Sequence, residues 1–340
     1  MGLVILTDFN RVISRQELKK TFSEKQKVQK MRTRITELFN IEYPVLLPGM
    51  SMISVPKLVA AVSNAGGLGI LASGMMGQKE ALAAIREVKS LTDKPFGFGA
   101  SLMIPGATEN VKLALQEEVP LINFSLGKGD WIVEQAHAYG GKVIATVVNE
   151  RHALAANQYG TDALLVTGHE AAAHGGDVTS LVLIPKLASI VDIPIVAAGG
   201  FGTGGGLVAA LALGADAIAM GTRFASTQDS PVHSNTKKAI VDHGISETIY
   251  TTKFDGMPCR IMKTPSAIDY IEQTPDGADM FSVAMRAGPA IQSAIVEGDL
   301  DKGVQLIGQV QGLVDDLPTV NELMEKIIAE ARLIASELPR

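Results

Sequence analysis

Eight short runs of β-forming residues recur at a regular beat after about residue 40, and no other feature of the 340-residue chain limits its fold so tightly. They are "PVLL" from Pro44, "LGIL" from Leu68, "PFGFG" from Pro95, "PLINF" from Pro120, "KVIAT" from Lys142, "ALLV" from Ala163, "PIVAA" from Pro194 and "AIAMG" from Ala217. Between them lie stretches such as "PKLVAAVSNA", "QKEALAAIREVKSL", "NVKLALQEE" and "RHALAANQYG". In these, alanine, leucine and charged residues recur at helical spacing, and a glycine often closes the segment. The β runs are apolar rather than alternating, as expected of strands buried on both faces, and such strands are parallel and need crossover helices. The pattern predicts an α/β fold, a closed (β/α)8 TIM barrel. A doubly wound open sheet is the alternative, although such sheets usually stop at about six strands.

From about residue 245 the beat is lost. "MKTPSAIDYIEQTPDGADMFSVAMRAGPAIQSAIVEG" reads as helices with polar interruptions, and "TVNELMEKIIAEARLIASEL" as a closing amphipathic helix. At the other end, "RQELKKTFSEKQKVQK" is charged with little apolar spacing, and a second methionine follows at Met31. The expected organisation is therefore an N-terminal extension at 1–30, the barrel at 31–244, a C-terminal helical cap over the mouth at 245–310, and a last helix packed on the barrel at 311–340.

Composition narrows the function. Thirty basic and thirty-six acidic residues give a net charge of -6. No basic block is present to track a phosphate backbone, so nucleic acid is a poor candidate partner. Cys259 is the only cysteine, which excludes an intramolecular disulfide or a cysteine-based metal cluster. The opening "MGLVILTDFNR" is too short in its apolar run for a secretory signal, and glycines break the longest apolar region. The reading is a soluble cytoplasmic protein with no membrane association.

In a barrel the loops after the C-terminal strand ends build the site. After the seventh run comes "AAGGFGTGGG", and after the eighth "MGTRF". Gly199 and Gly200 would let a phosphate approach bare backbone N–H groups, with a helix start beyond them, and Gly221 and Thr222 would add an amide and a hydroxyl. The same glycines could serve only tight turns and close helix packing. After the sixth run comes "GHEAAAHGGD", in which Glu170 and His174 are four apart, with glycines that favour a loop. His174 has no bulk beside it and can take or give a proton near neutral pH; the plainer reading is a loop histidine bonded to a carbonyl. His152 reads as a packing or surface residue, His169 as a neighbour of the same loop that could as easily be solvated, and Cys259 as a buried inert thiol. No histidine pair has zinc spacing, so no metal is expected, and no serine sits in a nucleophile elbow.

Several stretches carry a resemblance: "RTRITELFNIEYPVL", "LVAAVSNAGGLGIL", "SLTDKPFG", "GHEAAAHGG", "IPIVAAGGFGTGGGLVAALALGADAIAMGTRF", "SPVHSNTK" and "GQVQGLVDD". In this order they resemble the FMN-dependent nitronate monooxygenase family, formerly 2-nitropropane dioxygenases, whose framework is shared by enoyl-acyl-carrier-protein reductase II and NADH:quinone reductases. The resemblance runs from about Met31 to the C-terminus. It implies FMN, held by Gly199, Gly200, Met220, Gly221 and Thr222, with further cofactor contacts at Gly49, Met50, Gly99 and Glu170, and it puts the catalytic histidine on His174. It implies oxidation of alkyl nitronates by O2, with His174 taking the α-proton of a nitroalkane. The alternative is reduction of an enoyl thioester or quinone with NADH or NADPH as reductant. It leaves a homodimer open. The chain departs from the family pattern at "LPGM", where Leu47 and Pro48 replace polar and glycine positions, and at Gly99, where relatives have asparagine. It departs again at "EAAAH", with Ala172 and Ala173, and at Ala145 and Thr146, where some reductases carry lysine or histidine. Fewer polar groups remain to fix a substrate. Nucleotide dehydrogenases with a similar glycine grip need a cysteine on the sixth loop, which is absent here.

Overall fold

A computed structural model describes residues 30–339 apart from Met75 and Ala173. The extension expected at 1–30 lies, but for Lys30, outside the described residues. All eight β runs are strands: β1 Val45–Leu47, β2 Leu68–Ala72, β3 Phe96–Ser101, β4 Leu121–Ser125, β5 Lys142–Val147, β6 Ala163–Thr167, β7 Ile195–Ala198 and β8 Ala217–Ala219. They pair in parallel in chain order, and β8 returns to β1 through Val45 opposite Ile218 and Leu46 opposite Ala219. The molecule is therefore a closed TIM barrel, and the open sheet is excluded.

A first helix, α1 Arg34–Phe39, precedes the barrel and closes its floor. Its Ile35 and Phe39 join Leu46, Leu68, Ile70, Leu121, Ile144, Leu165 and Val196 in one buried cluster. Each fully buried side chain of this size stabilises the fold by about 1.5–3 kcal/mol. The β3 run puts glycine where its neighbours need room. A Cβ on Gly97 would lie 2.9 Å from Leu121 Cδ2 and 3.2 Å from Ile70 Cγ1, so the missing side chain is the space those residues fill. The outer layer is α2 Pro56–Asn64, α3 Gln78–Leu91, α4 Ala107–Gln116, α5 Asp130–Ala138, α6 Glu150–Gln158, α7 Ser180–Ala188 and α8 Gly204–Ala212. Next come a single turn, α9 Thr222–Ala225, and α10 Ser234–Asp242.

The C-terminal part is helical, as expected, but begins with an antiparallel hairpin that was not expected, β9 Thr248–Thr251 against β10 Cys259–Met262. Four-residue strands carry too little alternation to be recognised in sequence. The helices α11 Pro265–Glu272 and α12 Met280–Gln292 follow, then a 3-10 turn at Gln309–Leu313 and α13 Val320–Glu337. Helix α13 packs on α8 so closely that a Cβ on Gly204 would lie 2.5 Å from Ala331 N and Ile327 O. Among the described residues no helix is long and apolar enough to cross a membrane.

Candidate active site

Register brings the expected residues to one end of the barrel. Ala198 of β7 is opposite Ala219 of β8, so Gly199–Gly200 and Met220–Gly221 leave adjacent strands side by side. Gly199 and Gly200 have φ of +97° and +82°, which glycine adopts without strain. A Cβ on Gly199 would lie 3.0 Å from the Gly168 carbonyl oxygen and 3.2 Å from Ala171 N, so the turn packs directly beneath the sixth loop. Met220 is fully buried, and its N–H donates to Leu46 O at 3.0 Å. Gly221 faces Met50, whose sulfur would be 3.2 Å from a Cβ there. Gly49 and Gly99 close the set, since a Cβ on Gly49 would lie 3.6 Å from Gly99 Cα.

Thr222 is buried, and its hydroxyl oxygen accepts the Gly308 N–H at 3.0 Å, which leaves the hydroxyl proton free to donate. Gln309 N–H donates to Glu170 O at 2.9 Å. The "GQVQG" stretch thus lies across both the Thr222 turn and the sixth loop, a role its sequence did not disclose. The expected helix start beyond Gly200 is already taken: Glu330 of α13 accepts from Gly204 N at 2.9 Å and Gly205 N at 3.4 Å. A carboxylate there satisfies the positive end of α8, so an anion would rest on Gly199, Gly200, Gly221 and Thr222 instead.

The segment with Glu170 and His174 is a loop, as expected. Glu170 caps α7: its two oxygens accept from Ser180 N at 3.1 and 3.0 Å, and one also from Ser180 Oγ at 3.0 Å. His174 is partly exposed; its Nδ1–H donates to the Pro258 carbonyl at 3.3 Å, and Nε2 lies 3.5 Å from Asp255 Oδ2. Because a carbonyl only accepts, that contact assigns the proton to Nδ1. The other Asp255 oxygen accepts from Met257 N at 3.1 Å, which fixes the carboxylate in its turn.

His169 is half-buried beside the same loop. Its ring packs 4.4 Å from the Tyr250 ring, and its Nδ1–H donates to Gly176 O at 3.1 Å. Arg260 grips the His169 carbonyl through Nη2 at 2.8 Å and Nε at 3.3 Å. Burial lowers the pKa of its guanidinium, and the nearby Glu170 charge opposes that shift. Cys259 is fully buried, and burial, then Asp255, pushes its thiol up, which keeps it inert. Sequence reading also missed Asn123 of β4, whose amide donates to Thr146 Oγ1 at 3.0 Å and Ile144 O at 3.1 Å near the mouth end of the barrel. Among the described residues no cluster of three or more candidate metal ligands is present.

The chain matches the family model described as nitronate monooxygenase over residues 32–110 and 103–330. It is 35% identical to a (3aS,4S,5R,7aS)-5-hydroxy-7a-methyl-1-oxo-octahydro-1H-indene-4-carboxyl-CoA dehydrogenase of Rhodococcus jostii (strain RHA1), covering 88% of this chain and 96% of that protein. The structure of FabK, an enoyl-acyl-carrier-protein reductase II, from Thermotoga maritima is similar with a TM-score of 0.86 and 38% identity, covering 91% of this chain and 98% of that one. That of nitroalkane oxidase from Streptomyces ansochromogenes has a TM-score of 0.81 and 26% identity, covering 90% and 100%.

Proposed function

The chain belongs to the nitronate monooxygenase family of oxidoreductases, and from that premise we propose that it is a cytoplasmic FMN-dependent enzyme that reduces an α,β-unsaturated acyl thioester with NADH or NADPH. The observation that carries this reading is the likeness, over nearly the whole chain, to a CoA-ester dehydrogenase and to FabK at 35% and 38% identity. The residues fit a flavin. The glycine turn at Gly199–Gly200 leaves backbone bare where a phosphate needs it, and Thr222 keeps a proton to donate. Gly49 and Gly221 leave an uncharged surface for a planar ring beside Met50, with Gly99 and Met220 buried behind it, and Glu170 holds the neighbouring loop through Ser180. When bound, FMN supplies electron transfer between the nicotinamide and the substrate. His174, when protonated on both nitrogens, would give its Nε2 proton to the carbon beside the thioester carbonyl and return to the Nδ1–H form, while the Pro258 carbonyl holds Nδ1–H and Asp255 lies beside Nε2.

A second reading, oxidation of alkyl nitronates with O2, is favoured by the family model and by the nitroalkane oxidase likeness. There His174 Nε2 would take the α-proton of a nitroalkane. Anaerobic stopped-flow absorbance of the purified flavoprotein, mixed separately with NADH, NADPH and a nitronate, separates the two. Rapid bleaching by a nicotinamide is the expected result; bleaching by the nitronate alone would overturn the reductase reading. The His174→Asn variant should still be bleached by the nicotinamide, with turnover of a 2-enoyl thioester lowered by about 10²–10⁴-fold.

A further inference from the structure

The inner wall of the barrel changes character one step above its core. Leu121 of β4 and Ile144 of β5 belong to the buried core cluster, and because strand side chains alternate, Asn123 and Thr146 face the same interior two residues nearer the mouth. Across the barrel, on β7 and β8, Ala198 and Ala219 hold the corresponding places. Polar groups thus stand on one side of this layer and methyl groups on the other.

The hydrogen bonds of Asn123 fix its orientation. A carbonyl only accepts, so the amide nitrogen is the atom that meets Ile144 O at 3.1 Å, and its second N–H donates to Thr146 Oγ1 at 3.0 Å. Both amide protons are used, and among the described residues nothing donates to Oδ1. Thr146 Oγ1, having accepted, keeps its own proton to donate. Asn123 is 8% exposed and Thr146 half-buried, so bulk water reaches neither freely. A carbonyl oxygen so enclosed and left unpaired is costly, which makes a ligand donor favourable there. Side by side, Oδ1 and the Thr146 hydroxyl are the complement of an N–H next to a C=O. Gly99, the register partner of Asn123 on β3, brings no side chain against it. Gly99 and Thr146 are also two of the positions where the chain departs from the family pattern, so that pattern does not supply this arrangement.

Position identifies the ligand group. Strand β4 lies across the closed barrel from β8, after which Gly221 and Thr222 form part of the phosphate cradle. A flavin mononucleotide held there by its phosphate has its ring at the far end of the ribityl chain, and the outer edge of that ring is an imide, an N–H between two carbonyls. We propose that Asn123 and Thr146 bind the imide edge of the flavin, with Asn123 Oδ1 accepting from the ring N3–H and the Thr146 hydroxyl donating to a carbonyl oxygen beside it. The inference rests on FMN being the cofactor and holds for the thioester and the nitronate reactions alike.

The test is fluorescence titration of the full-length protein, stripped of flavin, with FMN and with N3-methyl-FMN, which keeps both carbonyls and lacks the N–H. The parent should bind FMN about tenfold more tightly than the methylated form. Asn123→Leu should weaken FMN by about tenfold and bind the two flavins alike, whereas Thr146→Val should weaken both by about fivefold and keep the preference for FMN. A merely structural role for Asn123 would weaken both flavins together and leave their ratio unchanged, an outcome that overturns the inference. Thr146→Val is nearly isosteric and spares the bond to Ile144, so it keeps the test decisive if Asn123→Leu lowers Tm. Equal binding of the two flavins by the parent overturns the inference as well. So does unchanged FMN affinity in both variants with weakened NADH binding to the loaded protein, which would assign the pair to the nicotinamide carboxamide. A parent that takes up neither flavin would overturn the FMN reading itself, and the inference with it.

Discussion

At the scale of single residues, the cradle depends on what Gly199 lacks. Gly199→Ala would put a methyl 3.0 Å from Gly168 O on a left-handed backbone that costs an L-residue about 1–2 kcal/mol. We expect the purified variant to carry clearly less flavin per chain, read from the ratio of visible to ultraviolet absorbance; full occupancy would remove Gly199 from the cradle. The placement of Gly199, Gly200, Gly221, Thr222 and His174 at one end of the barrel was legible in the sequence because each lies in the loop after a recognisable strand, and a barrel sends all strand ends to one face. Asp255, Pro258 and Gly308 were not. They reach the site from more than 80 residues away along the chain, and no local pattern encodes which distant turn will meet a given loop.

At the scale of elements, the hairpin is what gives the sixth loop one shape. Arg260 N–H donates to Ala172 O at 3.2 Å while its guanidinium holds His169 O, and Tyr250 OH donates to Gly175 O at 3.0 Å. These bonds bracket His174 on both sides. Arg260 Nη1 also donates to Thr248 Oγ1 at 3.0 Å, so the side chain ties strand to strand as well as hairpin to loop. Arg260→Gln leaves the cradle glycines untouched and loosens the loop. We expect retained flavin, reduced turnover and faster deuterium uptake in the peptide covering 168–178; unchanged uptake would mean that the loop is held by other contacts. The eight strands were legible because each is a continuous apolar run between helix signals. The hairpin was not, because its strands are four residues each and all of β9 is only half-buried.

At the scale of the whole molecule, the C-terminal segment binds the barrel around its seventh and eighth strands. Arg223 of α9 is buried and pairs with Asp316, which also accepts from Lys326 Nζ at 3.0 Å, and Val320 N donates to Asp229 at 2.6 Å. Burial by itself pushes the Asp316 carboxyl up, but Lys326 and Arg223 together more than offset it and hold it below its ordinary 3.8. A carboxylate depressed in the folded state contributes stability that is fully present above its unfolded pKa and lost as pH falls through the folded value. Asp316→Asn should therefore cost about 2 kcal/mol at pH 7, less than a fully buried pair because Asp316 is one-third exposed. The difference from the parent should shrink as pH drops below 3.8. Urea unfolding at pH 7 and pH 3 checks this, and equal stability at pH 7 would show that the pair contributes nothing.

The same C-terminal segment has a consequence in time. Synthesis runs from the N-terminus, and the barrel has all its strands once Ala219 has left the ribosome. Gly308 on the Thr222 hydroxyl, Asp316 on Arg223 and Glu330 on the start of α8 are made later. A nascent chain can thus close its sheet while the cradle still lacks its outer support. A chain that ends before residue 316 therefore lacks both the carboxylate that pairs with Arg223 and the one that caps α8.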